Sequence, residues 1–93
     1  MFDSIIHQPT RTLIVSLLIS NDELSFKQIK DELNLTDGNL SSHMKLLEKE
    51  EYIEVEKLFV GKRPKTIYKI SEKGAKAFKK YIENLKKFME KNR

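Results

Sequence analysis

From Gly38 to Ser42 the chain reads Gly-Asn-Leu-Ser-Ser, small or hydrogen-bonding residues around one apolar side chain. Short donors and acceptors near the start of a helix can approach base edges in a nucleic-acid groove, while the helix amides meet phosphate. Gly38, Asn39, Ser41 and Ser42 supply that chemistry without bulk, and Lys45 and Lys49 follow near the same side. A second set, Lys62, Arg63 and Lys65, gathers three cations within four positions. Such a cluster can neutralise phosphate, although lysine also serves simply to keep strand edges soluble.

Other chemistries find little support. His7 and His43 fall in different elements, and nothing in the sequence places a nucleophile or carboxylate beside either. No glycine-rich phosphate loop or metal-ligand cluster is legible. His43 itself lies on the flank of its helix, where it packs at the protein edge or meets phosphate more readily than it binds metal. The expectation is therefore a protein that is not an enzyme and carries neither cofactor nor metal.

The elements that hold these residues can be read from caps and periodicity. Ser25 caps a helix, with Gln28 completing a capping box, and Ile29 and Leu33 share its buried face. Asn34 tolerates the left-handed conformation that ends helices, Leu35 plugs the turn, and Thr36 caps the next helix. There Leu40, Met44 and Leu47 form the buried stripe, which turns the small polar residues outward. The spacing predicts a helix-turn-helix over residues 25–50. After Glu51 the period becomes alternating, with Ile53, Val55, Lys57 and Phe59 on one strand face. A turn over 60–64 and a return strand from Lys65 to Ile70 complete a wing at 52–70 with a basic tip.

Flanking helices complete the chain. Residues 2–7 read as a short helical lead, Pro9 suits a first helical turn, and Leu13, Ile14, Leu17 and Leu18 predict a buried scaffold helix. Leu24 and Ser25 can form a short strand. Ile5, Ile6, Val15 and Ile19 widen the apolar surface toward a further element or subunit. From Ser71 onward Ala75, Phe78, Ile82, Leu85 and Met89 are spaced 3, 4, 3 and 4, the rhythm of helix-to-helix packing. Tyr81 and Phe88 broaden the stripe, and about two and a half heptads cannot stand alone, so its early part is expected to cover the core and the part from Ile82 to Met89 to meet a second copy.

At 93 residues the chain allows one small domain, 1–93, of the mainly α, α+β class with a small β-hairpin and a long C-terminal dimerisation helix at 71–93. Residues 1–56 hold 5 Lys/Arg against 11 Asp/Glu, whereas residues 57–93 hold 13 against 3. The basic surface thus begins with the wing. The chain contains no cysteine, which fits a reducing cytoplasm, and neither a signal peptide nor a membrane-spanning run is legible.

Across nearly its full length the chain resembles small single-domain winged-helix transcriptional regulators of the MarR/ArsR-like superfamily. The resemblance rests on IIHQPTRTLIVSLL, on LSFKQIKDELNLTDGNLSSHMKLLEKEEYI, and on VEKLFVGKRPKTIYKISEKG. It implies a homodimer built from the first and last helices, reading a roughly palindromic double-stranded DNA operator. It places recognition on Thr36, Asn39, Ser41, Ser42, His43 and Lys45, and wing contacts on Lys62, Arg63 and Lys65. Dimerisation is expected at Ile5, Ile6, Ile82, Leu85, Phe88 and Met89. Asp37 departs from an all-basic reading surface, since it favours the helix dipole while opposing phosphate. The expected function is a sequence-specific regulator, a repressor, with a protein-docking winged helix as the alternative. A small-molecule effector stays open, because an apolar pocket between helices leaves no motif.

Overall fold

Serine or threonine caps set the starts of the last three helices. The computed structural model describes residues 2–92; Met1 and Arg93, the ends of the expected 1–93 span, lie outside the described residues. Its elements are α1 (Pro9–Ser20), β1 (Leu24–Ser25), α2 (Phe26–Leu33), α3 (Asp37–Lys49), β2 (Ile53–Val60), β3 (Arg63–Ile70) and α4 (Glu72–Lys91). Ser25 Oγ accepts from the Gln28 amide at 3.1 Å while Gln28 Oε1 accepts from the Ser25 amide at 2.8 Å, the expected capping box. Thr36 caps α3 through the Asn39 amide, and Ser71 caps α4 through the Gly74 amide. Asn34 closes α2 at φ 54°, the left-handed conformation expected there.

The N-terminal segment differs from the expected helical lead. Asp3 Oδ1 accepts from the Ile5 and Ile6 amides at 2.8 and 3.2 Å, and its carbonyl accepts from the His7 amide. A short acidic side chain that bonds its own backbone competes with helix, so residues 4–8 form turns and bends. α1 then begins with Pro9 in its first turn, capped by Gln8 through the Arg11 amide at 2.8 Å.

The strands form an antiparallel sheet in the order β1-β3-β2. β2 and β3 pair from Ile53↔Ile70 to Val60↔Arg63, leaving Gly61 and Lys62 as a two-residue turn with Gly61 at φ 65°. The return strand therefore starts at Arg63, two residues earlier than read from sequence. Pro64 enters the ladder because β1 pairs only at Tyr68 and Ile67, so its missing N–H faces no third strand.

Ile6, Ile14, Val15, Leu18, Ile29, Leu40 and Leu47 are fully buried, and Met44, Tyr52, Ile53, Tyr68 and Tyr81 join them. Each large aliphatic side chain contributes roughly 1.5–3 kcal/mol by leaving water. Two faces are rotated from the sequence reading. In α1, Ile14, Val15 and Leu18 point inward while Leu13 is 54% exposed, because a helix apolar on several sides takes its orientation from its neighbours. In α4 the inward face centres on Gly74 and Tyr81 instead of Ala75 and Ile82. A Cβ on Gly74 would lie 2.1 Å from the Tyr52 carbonyl oxygen, so only glycine lets α4 approach that backbone. Among the described residues four helices and a three-stranded antiparallel sheet make up the expected α+β winged-helix fold.

Candidate nucleic-acid interface

α3 is seated by Leu40, Met44 and Leu47, at 0, 2 and 0% exposure, so its opposite side must face outward. Gly38, Asn39, Ser42, Lys45 and Lys49 are exposed there. Thr36 is also exposed, but its hydroxyl oxygen accepts from the Asn39 amide at 3.1 Å as the helix cap. Ser41 is half-buried and turns toward the wing, lining with Lys45, Lys57, Thr66 and Tyr68 a groove of about 250 Å³. Helix and wing thus border one surface.

Asp37 is balanced locally. Lys30 of α2 pairs with its carboxylate at 3.0 Å, which tempers the repulsion expected against phosphate and ties the two helices of the motif together. The pair is largely exposed on the Asp37 side, so it adds about 1 kcal/mol or less.

At the wing, Lys62, Arg63 and Lys65 are all exposed, and among the described residues none of the three makes an ion pair. Their charge is available to a partner. A larger open groove of about 630 Å³ runs between the wing and the start of α2, lined by Phe26, Lys27, Val60, Arg63 and Lys65 among others. Phe59 and Val60, 72 and 59% exposed, stand bare beside the basic tip. Alternation identified their strand, but only the sheet's extension beyond the core explains why they stay uncovered.

His43 is half-buried at the edge of α3, where its Nδ1 lies 3.2 Å from Arg11 Nη1 of α1. Burial, and after it the Arg11 guanidinium, holds the imidazole below its ordinary range. Arg11 carries no signal in the sequence that would join it to the reading helix. The contact spans 32 residues and joins α1 to α3 only in the folded chain.

The residues assigned to dimer contact divide. Phe88 and Met89 are 50 and 55% exposed, Ile82 is 36% exposed, and Leu85 is half-buried. Ile5 is half-buried against the core, whereas Ile6 is enclosed completely within its own chain and presents no surface. His7 Nδ1 and the Tyr81 hydroxyl are 2.9 Å apart, and Phe2 stacks on the His7 ring and meets Phe88 edge-on, tying the N-terminal arm to α4.

Among the described residues no group of three or more His, Cys, Asp or Glu side chains could hold a metal ion, and no helix is long and apolar enough to cross a membrane. Residues 10–89 match a family described as a winged helix DNA-binding domain. The chain belongs to that family. It is a DNA-binding regulator domain and not an enzyme. An uncharacterised protein of Methanocaldococcus jannaschii is 43% identical over 82 residues, covering 88% of this chain and 85% of the relative. A solved transcriptional regulator homologue from Pyrococcus horikoshii superposes with a TM-score of 0.86 at 31% identity, over 92% of this winged-helix chain and 85% of the other. YodB from Bacillus subtilis, in its diamide-treated form, gives a TM-score of 0.79 at 25% identity, over 88% and 80%.

Proposed function

We propose that this winged-helix protein is a cytoplasmic, homodimeric and sequence-specific repressor of the MarR/ArsR-like kind, occupying a palindromic double-stranded DNA operator. The observation that carries this reading is the groove that Ser41 and Lys45 of α3 share with Lys57 and Thr66 of the wing, whose exposed tip carries three cations that make no ion pair among the described residues. In this reading Asn39, Ser41, Ser42 and Lys45 serve base edges, while Lys62, Arg63 and Lys65 serve phosphate or the adjoining minor groove. The exposed side chains of Ile82, Phe88 and Met89, with Leu13 and Ile19 of α1, supply apolar surface that a second copy would cover.

Molar mass in solution, alone and with a pool of short random duplexes, tests the proposal when the retained DNA is sequenced. A dimer that enriches an inverted repeat, with half-sites about one helical turn apart, is the expected result. A monomer that retains no duplex would overturn it. A protein-docking role is favoured instead by the acidic balance of residues 1–56, 5 Lys/Arg against 11 Asp/Glu. Reversing the charge at Lys62, Arg63 and Lys65 separates the two, because it abolishes DNA binding and leaves helix-mediated docking intact.

A further inference from the structure

Arg11, on the first turn of α1, spans two other parts of the molecule. Its Nε donates to the Ile5 carbonyl at 2.6 Å, and its Nη1 lies 3.2 Å from His43 Nδ1. A guanidinium offers donors only and does not give up its proton in proteins. His43 Nδ1 must therefore present its lone pair, and the single proton of the neutral ring resides on Nε2. Nε2 has no hydrogen-bond partner among the described residues, and none of their buried side-chain nitrogens or oxygens lacks a partner. Nε2 is accordingly open to solvent, on the helix that carries Asn39, Ser42 and Lys45.

We propose that Arg11 is a positioning residue for DNA recognition: anchored on the Ile5 carbonyl, it fixes His43 as a neutral Nε2–H donor for an acceptor atom on the DNA. The inference rests on the DNA-reading function proposed above. A histidine near phosphates would ordinarily tend to gain a proton and act as a cation. Here a second proton would have to sit on Nδ1, pointing at the guanidinium. Burial of the ring, and after it the Arg11 guanidinium, both disfavour that second proton. His43 then contributes direction without charge, unlike Lys62, Arg63 and Lys65.

The first test needs no DNA. Imidazole nitrogen NMR through a pH titration is expected to show His43 protonating below the ordinary value of about 6.5 in the wild type, and closer to it in Arg11→Met. Superimposable titrations in the two proteins would overturn the proposal. The second test uses the duplex retained by the wild type. His43→Ala is expected to weaken binding roughly twofold to tenfold, the worth of one hydrogen bond, with an unchanged salt slope. Arg11→Met should cost a similar factor and add nothing in the His43→Ala background. Additive losses, or a slope reduced in Arg11→Met, would mean that Arg11 meets phosphate directly and would sink the idea. Should Arg11→Met not fold, His43→Ala still decides, since a slope lowered by about one marks a charged histidine. Duplexes in which a purine N7, a guanine O6, a thymine O4 or a phosphate oxygen is replaced one position at a time identify the acceptor as the position at which His43→Ala no longer matters; no such position would overturn the proposal. A wild type that retains no duplex removes the DNA-reading function itself, a failure distinct from a wrong titration.

Discussion

At Tyr52 one hydroxyl joins the N-terminal arm to the base of the wing, donating to the Asp3 carboxylate. Burial first, and then the Asp3 bond and charge, push the phenol up to about 12. A pKa raised on folding contributes stability that is complete below the unfolded value of about 10 and lost as pH rises through about 12. Urea unfolding of the wild type should therefore weaken across that window, while Tyr52→Phe, lacking the ionisable group, should lose less over the same range. At the wing tip the effect of a residue is electrostatic. Lys62→Ala is expected to lower binding to all duplexes about equally and to reduce the salt slope by about one, read from binding isotherms at several salt concentrations. An unchanged slope would place Lys62 away from the DNA.

At the scale of elements, the seating of α4 depends on Gly74. In an exposed helix interior Gly→Ala gains about 1 kcal/mol, but here the added Cβ meets the backbone oxygen of Tyr52 and the Ile70 side chain. Gly74→Ala is therefore expected to destabilise the fold, by on the order of 1–3 kcal/mol in denaturant unfolding. A stabilised variant would show that α4 packs further out. The expected rhythm of Ala75, Phe78, Ile82, Leu85 and Met89 located the helix correctly but not its inward face. A helix flanked by Phe78, Tyr81, Leu85 and Phe88 has several apolar directions, and the contact at Tyr52 selects among them. The α2–α3 unit was more legible, because Ser25, Gln28, Asn34 and Thr36 each act within four residues of their partners.

For the whole molecule, the exposed end of α4 is the surface proposed for assembly. Ile82→Asp with Met89→Asp is expected to shift the protein to monomer in sedimentation, with folding retained because both positions are exposed. In the proposed dimer, loss of the second reading head should lower operator affinity by at least tenfold, since two linked sites gain from effective concentration. An undiminished dimer would take α4 out of the interface and leave it to the exposed Leu13 and Ile19 of α1.

The sequence by itself determined the order of elements, both caps of the helix-turn-helix, the outward side of α3 and the basic wing, because these depend on neighbours a few residues away or on strict alternation. Tertiary structure alone decided which side of α1 and α4 is buried, that Ile6 belongs to the core, and that Lys30 balances Asp37. It also brought Arg11 to His43, across 32 residues. The physical reason is common to these cases: an element apolar on several sides, or a long cationic side chain, has many local solutions of similar energy. Packing of distant segments selects one of them.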